Sequence, residues 1–150
     1  MSRFQTTLSG FPARTSTQEG LQLNVAFTSE HATVEALRYA AAMAGGLGAR
    51  LQVIVPQVVP YGRDLKDPDV NPQFTAQRAL DAAHAAGVDA DVNVVLCRER
   101  VEGLHHALGA DGLLLFGGRR RWWPDAERAL ARQLSERGHK VLFVEGGEGA

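Results

Sequence analysis

The stretch Asp111-Gly-Leu-Leu-Leu-Phe-Gly-Gly118 decides the fold. An apolar run that ends in paired glycines is the pattern of a buried strand opening into a tight loop. It is followed by Arg119-Arg-Arg-Trp-Trp-Pro124, then by a helical pattern over Pro124 to Arg137 with Ala126, Leu130 and Leu134 inward, a stop at Gly138, and a last strand over Val141 to Val144. A strand, a helix and a second strand in this order make parallel pairing through a crossover. In such sheets the loop at the carboxyl end of a strand is where ligands are held.

Upstream, strand and helix patterns alternate in the same way, with no internal sequence repeat. Leu21 to Phe27 predicts a strand, Ser29 a helix N-cap, and Glu30 to about Leu47 a helix whose Val34, Leu37, Ala41, Ala44 and Leu47 fall at three- and four-residue steps. Arg50 to Val55 predicts a second strand stopped by Pro56. A long loop, Gln57 to Asn71, leads to Asn71-Pro72, a cap followed by proline in the first turn. The helix after it carries Phe74, Ala76, Leu80, Ala83 and Ala86 as its expected buried stripe and closes at Gly87. Ala90 to Cys97 predicts a third strand, and Arg98 to Leu108 a short helix with Val101, Leu104 and Leu108 inward. The expected fold is α/β, a three-layer α/β/α sandwich. Residues 1–20, rich in Thr, Ser, Gly and Gln, are expected as an N-terminal arm outside the main fold, with 21–150 forming one domain.

The composition narrows the function classes. The chain has 150 residues, 45% of them hydrophobic and 22% charged, enough for an ordinary core. A net charge of -1 argues against a general nucleic-acid or anionic-membrane binder. A single cysteine, Cys97, excludes a disulfide framework within the chain and a cysteine metal cluster. No apolar run approaches the roughly 20 residues of a membrane span, and the first ten residues lack the apolar centre of a signal peptide. A cytoplasmic protein is expected.

The order of these segments resembles the universal stress protein family, within the larger group of adenine-nucleotide-binding α/β domains. Val25-Ala-Phe-Thr-Ser-Glu-His31 is similar to the family's first strand and the turn into its first helix. Ala36-Leu-Arg-Tyr-Ala-Ala-Ala-Met-Ala44 resembles its alanine-rich first helix, and Ala49-Arg-Leu-Gln-Val-Ile-Val55 its second strand. Gly109-Ala-Asp-Gly-Leu-Leu-Leu-Phe-Gly117 is similar to its fourth strand, and Val141-Leu-Phe-Val144 to its last. The resemblance implies a five-stranded parallel sheet in the order 3-2-1-4-5 and a homodimer through the C-terminal strand. Val141, Leu142, Phe143 and Val144 would be an edge that a second copy protects.

The resemblance also implies where a nucleotide would sit: Thr28, Ser29, Val55, Gly117, Gly118, Arg119 and Arg120. Nucleotide-binding members carry an aspartate at the end of the first strand and a Gly-x2-Gly-x9-Gly-Ser/Thr pattern after the fourth, which brings backbone N–H groups to the phosphates. Here Thr28 stands in the aspartate's place, Arg120 at the second glycine, and Glu127-Arg128 near the Gly-Ser pair. The implied protein is a non-enzymatic stress-response or regulatory binder with a degenerate pocket and no resident cofactor. The alternative is a member that binds ATP or another adenine nucleotide, or slowly hydrolyses ATP, through an arginine-rich loop.

From Gly117 to Lys140 there are six arginines and one lysine against three acids. Trp122 and Trp123 among them leave three readings open: packing over the sheet edge, an interface with an unknown protein partner or a second copy, or a grip on a small anion. Adjacent His105 and His106 point about 100° apart on a helix and do not chelate one metal simply. Cys97 is expected as a small buried core residue. The sequence holds no nucleophile–base pair, P-loop or spaced metal cluster, so no catalytic residue and no metal are expected.

Overall fold

The computed structural model describes residues 4–9, 22–47, 49–109, 113–117 and 125–144. Among them are six strands and four helices: β1 (Phe4–Ser9), β2 (Gln22–Ala26), α1 (Glu30–Leu47), β3 (Arg50–Val58), α2 (Pro72–Ala86), β4 (Asp91–Cys97), α3 (Arg100–Leu108), β5 (Leu113–Gly117), α4 (Asp125–Glu136) and β6 (Lys140–Val144). They form one sheet in the order β1-β4-β3-β2-β5-β6. The pairings from β4 across to β6 are parallel, and those five strands carry the expected order 3-2-1-4-5.

The sixth strand departs from the sequence reading, which put residues 1–20 outside the main fold. Phe4 to Ser9 pair antiparallel with β4, from Phe4 opposite Leu96 to Ser9 opposite Asp91. Val92 to Cys97 of β4 are all buried, so an unpaired outer edge there would leave backbone groups without partners in an apolar setting. The alternating sequence Phe4-Gln-Thr-Thr-Leu-Ser9 supplies a strand.

Burial sorts the helices by face. Alternate residues of β2 and β3 (Leu23, Val25, Val53, Val55) pack with Ala36, Leu37 and Ala40 of α1 and with Ala76, Ala79 and Ala83 of α2. The intervening Ala26 and Ile54 pack with Val101 and Leu104 of α3 and with Leu130 and Leu134 of α4. Both faces of the central strands are covered, as a parallel sheet requires. One buried amide crosses three strands: Asn24 in β2 donates to the Leu113 carbonyl at 3.0 Å and accepts from Gln52 of β3 at 3.0 Å. That satisfies a polar side chain that is only 4% exposed.

Pro56 does not stop β3, which continues to Val58. The Ile54 carbonyl faces β2 and accepts from the Phe27 N–H at 3.0 Å. Two residues on, Pro56 faces the same side, where β2 has already ended, so its missing N–H costs no ladder bond. Two helix positions expected inside are exposed. Phe74 lies about 200° around α2 from Ala76, off the stripe made by Ala76, Ala79 and Ala83, and is 62% exposed. Ala126 shares a face with Leu130 but sits in the first turn of α4, where that face borders an open cleft.

Gly117 ends β5 against the first turn of α1. A Cβ there would collide with the Ala32 carbonyl oxygen and lie 2.9 Å from the Ala36 Cβ. Gly45, exposed on α1, has open space around it. Gly117→Ala should therefore destabilise the protein by roughly 1–3 kcal/mol. Gly45→Ala should stabilise it by about 0.5–1 kcal/mol. Urea denaturation of the two variants checks these opposite signs.

Candidate functional site

The sheet order reverses direction between β2 and β5. The chain leaves β2 through α1 toward β3, and leaves β5 through α4 toward β6, on the other face. The two connections diverge and open a crevice beyond the carboxyl ends of β2 and β5, the usual ligand position in a doubly wound sheet. Val25 is level with Leu115, and the same register two residues on brings Phe27 level with Gly117.

On the β2 side of this crevice three amides are engaged within the chain. Ser29 Oγ accepts from the Ala32 N–H at 3.2 Å, and the Ser29 carbonyl accepts from the Thr33 N–H at 2.9 Å. Ser29 is thus the N-cap of α1, as its place before Glu30 predicts. The Thr28 N–H donates to Thr33 Oγ1 at 3.3 Å, and Thr33 is completely buried. A short polar loop and the first turn of α1 therefore satisfy one another. Thr33 was not singled out in the sequence; its signal is a hydroxyl four residues after the cap, which the helical pattern alone reads as an ordinary turn.

The floor and walls are apolar. Val55 is 5% exposed and belongs to the core beneath α1 and α2. Gly117 is spent on helix packing, since Ala32 and Ala36 occupy the space its missing side chain leaves. Phe27 is half-buried at the end of β2, with the Arg78 guanidinium of α2 5.5 Å from its ring centroid. That places an exposed cation beside an aromatic ring near the crevice. Nothing in the spacing of Arg78 and Phe27 along the sequence foretold this contact. Gly118, Arg119, Arg120, Trp122 and Trp123 lie outside the described residues.

Glu127, which the resemblance put near a glycine–serine pair, is half-buried in α4 and bonded to Arg100 of α3 at 2.9 Å. A second pair, Arg137 with Glu102 at 3.1 Å, ties the residue after α4 to the same first turn of α3. Near the first pair, Val58, Val101, Ala126, Ala129 and Leu130 line a shallow cleft of about 390 Å³ with Glu99, Arg100 and Gln133 at its rim. The cleft lies on the α3–α4 face, away from the N-terminus of α1.

The long loop after β3 is pinned down. Arg98 Nη1 donates to the carbonyls of Val59, Pro60 and Arg63 at 3.2, 2.6 and 2.7 Å. Val59 and Leu65 pack on Leu96 beneath it. Gln57 ties its far end, donating to the Val70 carbonyl at 2.8 Å and accepting from Thr75 Oγ1 at 2.7 Å. Cys97 is 1% exposed and packs on Gly103, where a Cβ would meet its sulfur at 2.7 Å. Among the described residues no three His, Cys, Asp or Glu side chains gather to hold a metal ion, and no helix is long and apolar enough to cross a membrane.

On the edge strand β6 the four candidate interface residues divide. Leu142 is 43% exposed, Val141 and Phe143 are half-buried against the α3–α4 core, and Val144 is buried with the α1–α2 core.

A crevice at the switch point of a 3-2-1-4-5 parallel sheet defines the class: a doubly wound α/β protein. Solved structures place it further. The chain superposes on a universal stress protein in complex with cAMP with a TM-score of 0.55, at 20% identity over 85% of this chain and 99% of that one. It superposes on a universal stress protein from Archaeoglobus fulgidus in complex with dAMP with a TM-score of 0.52, at 16% identity over 82% and 96% of the two chains. A further structure of a universal stress protein from Archaeoglobus fulgidus gives a TM-score of 0.55 at 12% identity, over 82% and 92%. The chain thus has the universal stress protein fold. No family sequence model and no curated protein sequence matches it.

Proposed function

We propose that this protein is a divergent universal-stress-protein-like binder, a non-enzymatic stress-response or regulatory protein of the cytoplasm, in which the nucleotide crevice is kept as a position but degenerate as an ATP site. One observation carries the reading: three amides at the end of β2 and the start of α1 are used within the chain. The Thr28 N–H is held by Thr33, the Ala32 N–H by Ser29, and Thr28 offers no carboxylate for a nucleoside. Glu127, in the first turn of α4, is bonded to Arg100 and offers no donor to a phosphate. The protein purified in the absence of added nucleotide should carry less than a tenth of an equivalent of ATP, and calorimetric titration should give a Kd weaker than about 1 mM, or roughly -4 kcal/mol. Stoichiometric ATP after purification would overturn the reading.

A second reading is favoured by the Arg78–Phe27 pair, a cation and a ring at the mouth of β2. The two neighbours in complex with cAMP and dAMP carry a single phosphate, a smaller demand on the loop after β5. On this reading an adenine mononucleotide, or ATP held by Arg119 to Arg121, occupies the crevice, with slow hydrolysis as a further step. The same titration with cAMP and AMP distinguishes it: micromolar binding lost in Arg78→Glu favours this reading over the first.

We also propose a homodimer through β6. The strand is an edge of the sheet, paired on one side by β5, and carries exposed Leu142. Pairing with a second copy would protect those backbone groups. Trp122 and Trp123 remain candidates for a protein partner. Leu142→Lys should shift the protein from dimer to monomer in sedimentation at micromolar concentration; an unchanged dimer would place the interface elsewhere.

A further inference from the structure

The strand β4 ends at Cys97, and the residue after it sends a guanidinium into the long loop that follows β3. Arg98 Nη1 lies 3.2, 2.6 and 2.7 Å from the carbonyl oxygens of Val59, Pro60 and Arg63. The ring of Tyr61 lies alongside, its centroid 5.4 Å from Arg98 Cζ. Pro60 and Arg63 also close a turn, the Arg63 N–H donating to the Pro60 carbonyl at 2.9 Å. One side-chain nitrogen thus holds the loop on the end of β4, while Val59 and Leu65 pack on Leu96 beneath it.

These bonds use one corner of the group. Arginine has five N–H donors, and Nη1 carries two of them. The other three, on Nε and Nη2, make the side-on fork that matches two oxygens of a carboxylate or a phosphate. Among the described residues, neither Nε nor Nη2 of Arg98 donates to another group, and neither is buried. The charge is unmatched too. Its partners are neutral carbonyls, and no carboxylate among the described residues pairs with it. The acids of the loop are engaged elsewhere: Asp67 and Asp69 pair with Arg63 at 3.8 and 3.1 Å, and Asp64 accepts from the Lys66 N–H at 3.0 Å. Glu99, the next residue along the chain, is exposed.

We propose that Arg98 is a site for a small oxyanion, a carboxylate or a phosphate, held bidentately by Nε and Nη2 beside the ring of Tyr61. The site is separate from the crevice between β2 and β5, since β4 lies two strands from β2. An arginine already fixed by three carbonyls loses little further freedom on binding, which sets it apart from an ordinary surface arginine. The anion also acts on the loop. The fork is oriented by the carbonyls of Val59, Pro60 and Arg63, so it is complete only while the loop lies on β4. Binding therefore stabilises that closed state by the factor 1 + [anion]/Kd.

The test is NMR of the full chain with inorganic phosphate or acetate added at constant ionic strength, sodium chloride making up the balance. The Arg98 Nε–H signal, assigned through its own side chain, should shift and saturate at millimolar anion. That of Arg132, exposed on α4, should not saturate. Saturation by acetate alone assigns the site to carboxylates, by phosphate alone to phosphates, and by both to oxyanions of either kind. At an anion concentration about ten times the Kd, exchange of the Arg63 amide should slow about tenfold. Arg98→Lys keeps the charge and removes the fork, so its Arg63 amide should show no such slowing. An Arg98 signal that follows Arg132 with both anions overturns the site, and this reading does not depend on the variant folding. Equal slowing in the wild type and Arg98→Lys also overturns it, and saturation without slowing overturns the coupling to the loop.

Discussion

The close approach of α1 to the end of β5 at Gly117 governs the functional end of this molecule. A helix whose carbonyl occupies the place of a Cβ has no freedom to slide along the sheet. That contact fixes the first turn of α1, and with it Ser29 and Thr33, against the crevice between β2 and β5. Once the turn is fixed, the short loop Thr28-Ser29 closes its hydrogen bonds on the helix it precedes. A glycine at a strand end in this fold is easily read as room for a phosphate. Here the room is taken by Ala32 and Ala36, which makes Gly117 a residue of the core.

The same economy runs through the rest of the carboxyl edge. Arg98 spends one guanidinium nitrogen on three carbonyls of the loop after β3, and Gln57 holds the far end of that loop to α2. Glu127 spends its carboxylate on Arg100. These bonds tie down the described rim of the sheet, where the Arg78 guanidinium lies over the ring of Phe27. The doubly wound fold thus has a crevice at its switch point, with Thr28 and Ser29 bonded to the first turn of α1.

The parallel core was legible because each strand and helix follows a local rule: apolar runs for strands covered on both faces, Asn71-Pro72 and Gly87 as helix limits, Ser29 as a cap. The strand β1 was not legible, because Thr, Ser and Gln read as a tail until the buried outer edge of β4 is seen to need a partner. Pro56 was misleading, since its effect depends on where the neighbouring strand stops. Phe74 was misplaced by counting an apolar residue into a stripe without following it around the helix. Of the candidate site residues, Ser29 caps α1, Gly117 packs against that helix and Val55 lies in the core. The meetings of Thr28 with Thr33 and Arg78 with Phe27 depend on tertiary placement, and no spacing rule encodes them.

The central claim is that the amides of Thr28, Ala32 and Thr33 are bonded within the chain and not held open for a nucleotide. Amide hydrogen exchange of Thr28, Ala32 and Thr33, resolved by NMR with and without 1 mM ATP (about the weakest affinity that matters here), tests it directly. The account predicts slow exchange of all three in the free protein and no change on adding ATP. Rapid exchange in the free protein that becomes slow with ATP would contradict it.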